Sequence, residues 1–167
     1  MAYQLVEPQI GYPAVTDVST TQKVPIGTRA RIADNALTVP QAGEVIYLKS
    51  SDAITLGALV MYDQQLATCV LGPATAGVGP CAVSFNIVPS ASFAWFQIAG
   101  NAKILSPNAV VAGANVFPLA ATPGSVDDAA VAGEQILGAK FSTTTPVPAA
   151  GFAWVTIDRP FYQGQIT

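Results

Sequence analysis

The segment VPSASFAWFQI at 88–98 recurs as VPAAGFAWVTI at 147–157, a shared V-P-x-A-x-F-A-W-x-x-I that carries both tryptophans of the chain. No other feature constrains the fold as much. In an extended segment successive side chains point to opposite faces. Phe93, Trp95 and Gln97 then share one face, and Ala94, Phe96 and Ile98 the other. Apolar residues on both faces predict a strand covered on each side.

The repeat extends upstream. ITLGALV at 54–60 and VVAGANV at 110–116 both read apolar-x-x-G-A-x-V. Gly57 precedes Phe93 by 36 residues and Gly113 precedes Phe152 by 39, while Gly79 and Gly138 each precede their Phe by 14. Order and spacing predict two related halves, about 54–98 and 110–157. Two units are too few for a solenoid. Two strand sets closing one barrel or sandwich would remove exposed edges. Phe93, Trp95, Phe152 and Trp154 are then core anchors, one pair from each half. An exposed tryptophan pair that binds a sugar or peptide is the alternative use.

Residues 1–35 form a separate region, an extended N-terminal arm with one short strand at most. Pro8, Pro13 and Pro25 block helix there, and no period of 2 or 3.6 is sustained. The body, 36–167, reads as β. EVIYLK, GALVMYD, CAVSF, FAWFQIA, ANVFPL, EQILGAKF and FAWVTID are short and rich in β-branched and aromatic residues, with Gly, Pro, Asn and Asp between them. A helix competes only at SVDDAAVAGEQILG, 125–138, where Asp127 and Asp128 fit a first turn. Gly133 argues against a long one.

Apolar residues make up 51% of the chain and charged residues 10%, against a typical ~25% charged. That surface suits a protein covered by other chains better than a free monomer, although a soluble barrel coated in Ser, Thr, Gln and Ala would also satisfy it. The net charge is −3 and no basic run occurs, so nucleic-acid binding is not expected. Arg29 and Arg31 fall on one strand face in GTRAR, which suits a local ion pair or a docking contact. No run of 18 apolar residues exists to span a membrane as a helix, and no secretion signal is expected from MAYQLVEPQIGYP.

The chain has no histidine, which removes Ser-His-Asp and Cys-His catalysis and histidine-ligated metals. AGVGP lacks the following GK[ST] of a phosphate-binding loop. Asp127-Asp128 is the densest acidic group, but adjacent strand residues face opposite ways. Asp34, Asp52, Asp63 and Asp158 sit beside turn or strand-end signals, where Asp commonly bonds backbone. Neither a carboxylate pair for glycoside hydrolysis nor a calcium loop is supplied. Cys69 and Cys81 read as small buried residues, with a disulfide across a hairpin as the alternative. No enzyme activity, cofactor or metal is expected.

The extended opening through GTRARIADN, the glycine-punctuated β body, and segments such as SFAWFQIAGNAKI and GFAWVTIDRPF together resemble the head decoration, or cement, proteins of tailed bacteriophages. The resemblance covers most of the chain. It implies a single small antiparallel β-barrel or jelly roll, or a β-tulip. It also implies a homotrimer, or a homodimer, on the outside of an expanded capsid, assembled in the bacterial cytoplasm and bridging major capsid proteins. Arm residues Tyr3, Leu5, Val6, Ile10 and Tyr12, with Arg29 and Arg31, are the candidate capsid contacts. A strand added by residues 3–15 to a capsid sheet edge is the expected mode. A glycan-binding fibre or spike module, or a tail or baseplate subunit, are the alternatives.

Overall fold

The computed structural model describes residues 3–6, 11–34, 42–142 and 149–164. Among these residues the chain is all β, with twelve strands in one mostly antiparallel sheet and no helix. They are β1 Tyr3–Leu5, β2 Val18–Ser19, β3 Arg29–Asp34, β4 Ala42–Ser50, β5 Leu59–Tyr62, β6 Thr68–Leu71, β7 Val78–Ser84, β8 Phe93–Leu105, β9 Asn115–Pro118, β10 Val126–Asp127, β11 Ile136–Ser142 and β12 Phe152–Gln163. Pairing closes a ring of six strands, β4–β6–β5–β7–β12–β8, in which β4 with β6 is the one parallel contact.

The two halves have the same topology. Strand order runs β6-β5-β7-β8 in one and β10-β9-β11-β12 in the other, and β8 pairs with β12 at the junction. The sheet therefore reads the same from either end of this eight-strand stretch. Each half starts from the same turn. Ala58 donates its N–H to Thr55 O and Ala114 to Val111 O, both at 3.2 Å. The glycines inside these turns have φ of +74° at Gly57 and +76° at Gly113, a left-handed conformation that glycine adopts without steric cost. Gly57 N–H then donates to Ser84 O, and Gly113 N–H to Phe141 O, which ties each turn to the third strand of its half.

Three apolar clusters hold the sheet. The first joins Ile46 and Leu48 from β4, Val60 and Tyr62 from β5, Ala82 from β7, and Ala94, Phe96 and Ile98 from β8. The second lies between Leu59, Cys81 and Val83 of the first half and Val116, Ile136, Phe141, Val155 and Ile157 of the second. Strand alternation makes β5 and β7 a shared wall, with successive side chains in different clusters. The third joins Val15, Val24 and Ile32 to Val45, Tyr47, Phe93 and Trp95. Each Val, Ile or Phe side chain so buried stabilises the fold by about 1.5–3 kcal/mol.

β8 takes part in all three clusters. Phe93 and Trp95 face the third, Ala94, Phe96 and Ile98 the first, and Ala102 and Ile104 the second. The change between Ile98 and Ala102 falls at a register shift against β4 and at Gly100, whose φ is +101°. Such a bulge adds a residue and re-aims the side chains beyond it. Gln97, buried here, seals the bulge by donating from Nε2 to Ala99 O and Asn101 O.

The helical alternative for 125–138 is not adopted. β10, a turn closed by Glu134 N–H to Val131 O, and β11 occupy the segment, with Gly133 left-handed at φ +77°. The acidic pair caps no helix. Asp127 accepts from Asn108 Nδ2 at 2.7 Å, and Asp128 accepts from Val111 N–H at 2.8 Å. Both carboxylates thus fasten the loop that leads into the second half.

Candidate interaction surface

The described arm residues lie on the chain's own body. β1 pairs with β3, with Tyr3 opposite Asp34, and β2 pairs with the start of β8. Tyr12 sets its ring 5.8 Å from that of Trp95, and Trp95 Nε1 donates to Pro13 O at 3.3 Å. Tyr47 meets Trp95 edge-on at 5.1 Å and stacks on Phe93 at 6.2 Å. Asn86 Nδ2 donates to Val15 O across the neighbouring loop. A buried indole needs a partner for its N–H, and the arm backbone supplies it.

Of the candidate contacts, Leu5 and Tyr12 are thus half-buried against the third cluster, while Val6, Arg29 and Arg31 are exposed. Ile10 lies outside the described residues. Among the anchors, Phe93 and Trp95 are buried under the arm. Trp154 is buried on the face of β12 opposite Ala153 and Val155. Phe152 is half-buried, with Lys103 Nζ 4.1 Å from its ring centroid.

Sequence reading missed Arg159. It sits in β12 with φ +46°, and its guanidinium donates to Glu44 Oε2 at 2.9 Å. Arg31 stands directly opposite Glu44 in the β3–β4 register. Arg31 and Arg159 therefore converge on Glu44, with Arg29 two residues along β3 opposite Ile46. The signal available in sequence was that Arg159 falls where the first copy has Gly100.

A second surface feature is apolar. Leu137 on β11, Phe161 on β12 and Pro80 on β7 are side by side in register. Val78, opposite Gln163, continues the same face. Leu137 is 44% exposed, Phe161 39% and Val78 72%. An open groove of about 570 Å³ runs beside Phe161, lined also by Met61, Tyr62, Val70 and Val78.

Groups with chemical potential are used structurally. Asp63 Oδ1 accepts from the N–H groups of Gln65 and Leu66, and Asp52 Oδ2 accepts from Leu71 N–H. Cys69 and Cys81 are free and buried. They pair in register with Tyr62 and Met61 of β5, which runs between them. Two strand spacings, about 9.6 Å, exceed the span of a disulfide, and the thiols belong to different clusters. The disulfide alternative is thereby excluded. Burial pushes the Cys69 thiol up to about 12, and burial likewise raises Cys81. No group of three metal-ligating side chains occurs among the described residues. Comparison with known protein families and with curated proteins gives no match.

Proposed function

We propose that the protein is a structural component of a virus particle, a decoration protein bound to the outer surface of a bacteriophage capsid. On this reading it bridges neighbouring major capsid proteins and stabilises the expanded shell. The ring of strands then serves as a small barrel of the jelly-roll or tulip kind, and the working unit is a homotrimer.

The observation that carries the reading is the apolar row on three adjacent strands, in which Leu137, Phe161 and Val78 are exposed and Pro80 is half-buried. Isolated exposed apolar residues are ordinary, but a contiguous row marks a surface that another chain covers. The low charge of the chain, 10%, points the same way. Resemblance of the arm and the FAW segments to head decoration proteins supplies the identity of the covering chain. A clamp that engages several subunits at once holds strongly through modest interfaces, because each contact raises the effective concentration of the next.

Cosedimentation with matched unexpanded and expanded phage shells tests the proposal. Saturable binding to expanded shells alone is the expected result. Absence of binding to either form overturns it. Assembly of the protein alone into rings or tubes would transfer the reading to a tail or baseplate subunit.

A further inference from the structure

Arg31 and Arg159 converge on Glu44, with Arg29 two residues along β3, to make a cationic corner in a chain of net charge −3. Arg29 and Arg31 lie on one face of β3, two residues apart, and both are exposed. Arg159 crosses from β12 to Glu44. Burial pushes the Tyr62 hydroxyl up, and the charges of Arg29 and Arg159 both act against that push. Among the described side chains two carboxylates share the corner: Glu44, already engaged, and exposed Asp158, which pairs with Ala99 beside it. Among the described residues Arg29 and Arg31 have no ion-pair partner. Three of the four lysines are placed elsewhere, with Lys49 over Phe93, Lys103 over Phe152 and Lys140 against Gly113 O.

Among the described residues Arg159 is one of four non-glycine residues with positive φ, the others being Ala67, Ala91 and Ala121. Arg159 is left-handed at φ +46°, and the equivalent position of the first half holds Gly100 at φ +101°. A strained conformation kept by a long cationic side chain is typical of a site where that side chain is needed. Beside it runs an open groove of about 490 Å³, lined by Val6, Arg31, Ala33, Gly43, Glu44 and Gly100.

We propose that this groove and the three arginines hold an extended acidic segment of a partner protein. Its carboxylates engage Arg29 and Arg31 directly and exchange with Glu44 for Arg159. A guanidinium offers a planar fork of donors that matches a carboxylate two bonds at a time. The chain's overall negative charge gives no long-range attraction for such a segment, so recognition is local to this corner and sensitive to salt. The inference rests on the reading of the chain as a binding protein and names the chemistry of its partner.

Titration calorimetry of the full-length protein with an oligo-glutamate peptide, at low and at high salt, tests it. Binding is expected to weaken about tenfold at high salt. Arg31→Gln and Arg159→Gly each weaken it about tenfold, and Lys23→Gln leaves it unchanged. Arg31 is exposed, so its variant carries the test even where the other fails to fold. No peptide binding, or equal losses in Arg31→Gln and Lys23→Gln, overturns the inference. Tighter binding of a single-stranded oligonucleotide than of the peptide also overturns it. Peptide binding with these losses but no shell binding leaves the arginine corner standing and removes the capsid reading. Shell binding equal in wild type and Arg31→Gln, with no peptide binding, does the reverse.

Discussion

Gly100 and Arg159 hold the same place in the two halves, each seven residues beyond the repeated phenylalanine, and both have positive φ. The residues just before them, Ala99 and Asp158, face each other across the β8–β12 pairing. The two copies therefore cross at this point. One meets the bend with a glycine, and the other with an arginine that reaches Glu44.

The two positions should respond oppositely to substitution. A β-carbon on Gly100 would collide with Ala42 O and approach Gly43 Cα to 2.9 Å. Gly100→Ala is expected to cost at least about 2 kcal/mol, from the clash and the left-handed backbone together. Arg159→Gly relieves about 1 kcal/mol of backbone cost and loses an exposed ion pair of about 0–1 kcal/mol. Its stability should stay within about 1 kcal/mol of wild type. Denaturant titration of both variants checks this, and equal losses would refute it.

Much of this architecture was legible beforehand. The segments FAWFQIA, FAWVTID, GALVMYD and CAVSF all lie in or at the edges of strands, and the Gly57 and Gly113 spacing marks two turns with the same hydrogen bonds. What sequence did not reveal depends on distant contacts. TCVL is a strand because Cys69 pairs with Tyr62 and Thr68 with Lys49, although its own pattern is short and lies next to Gly and Pro. β8 continues to Leu105 past Gly100 because β12 pairs with it there. Arg159 lies 115 residues from Glu44, and no local pattern joins them.

The arm should act as part of the fold. Trp95 is fully buried and bonded to Pro13 O. In a Trp154→Phe background, removal of residues 1–16 is expected to shift Trp95 emission to the red. Val15, which is 1% exposed, is lost with it. Trp95→Ala should cost about 3–5 kcal/mol. Unchanged emission and unfolding midpoint after truncation would show that the arm contributes nothing to this cluster.

Both thiols should be silent in the folded protein. A Cys69 thiol held at about 12 by burial carries almost no thiolate at pH 8. Labelling by a thiol-specific reagent should therefore follow unfolding. The same burial sets a pH dependence. The unfolded chain releases thiol protons from about pH 8.5, while the folded chain retains them to about 12 at Cys69. Above pH 8.5 the unfolded state binds fewer protons, so stability should fall as pH rises through this window. Cys69→Ser should weaken that slope, and an unaltered slope would assign it to other groups.

Phe161 should matter for association and little for folding. Phe161→Ser on the exposed row is expected to reduce shell binding about tenfold or more while moving the unfolding midpoint little. Cosedimentation and thermal melting on the same preparation separate the two effects. A variant that binds as wild type does would remove this row from the interface.

One strand, β8, lends side chains to all three clusters. Freeing any one of these clusters consequently disturbs a strand that belongs to the other two. Backbone amides of Phe96 and Ile104 should exchange with solvent deuterium at one common rate, set by global unfolding, even though their side chains occupy different interiors. On the reading proposed above, a pull on the arm would pass from β2 through β8 into β12, which suits a clamp on a strained surface.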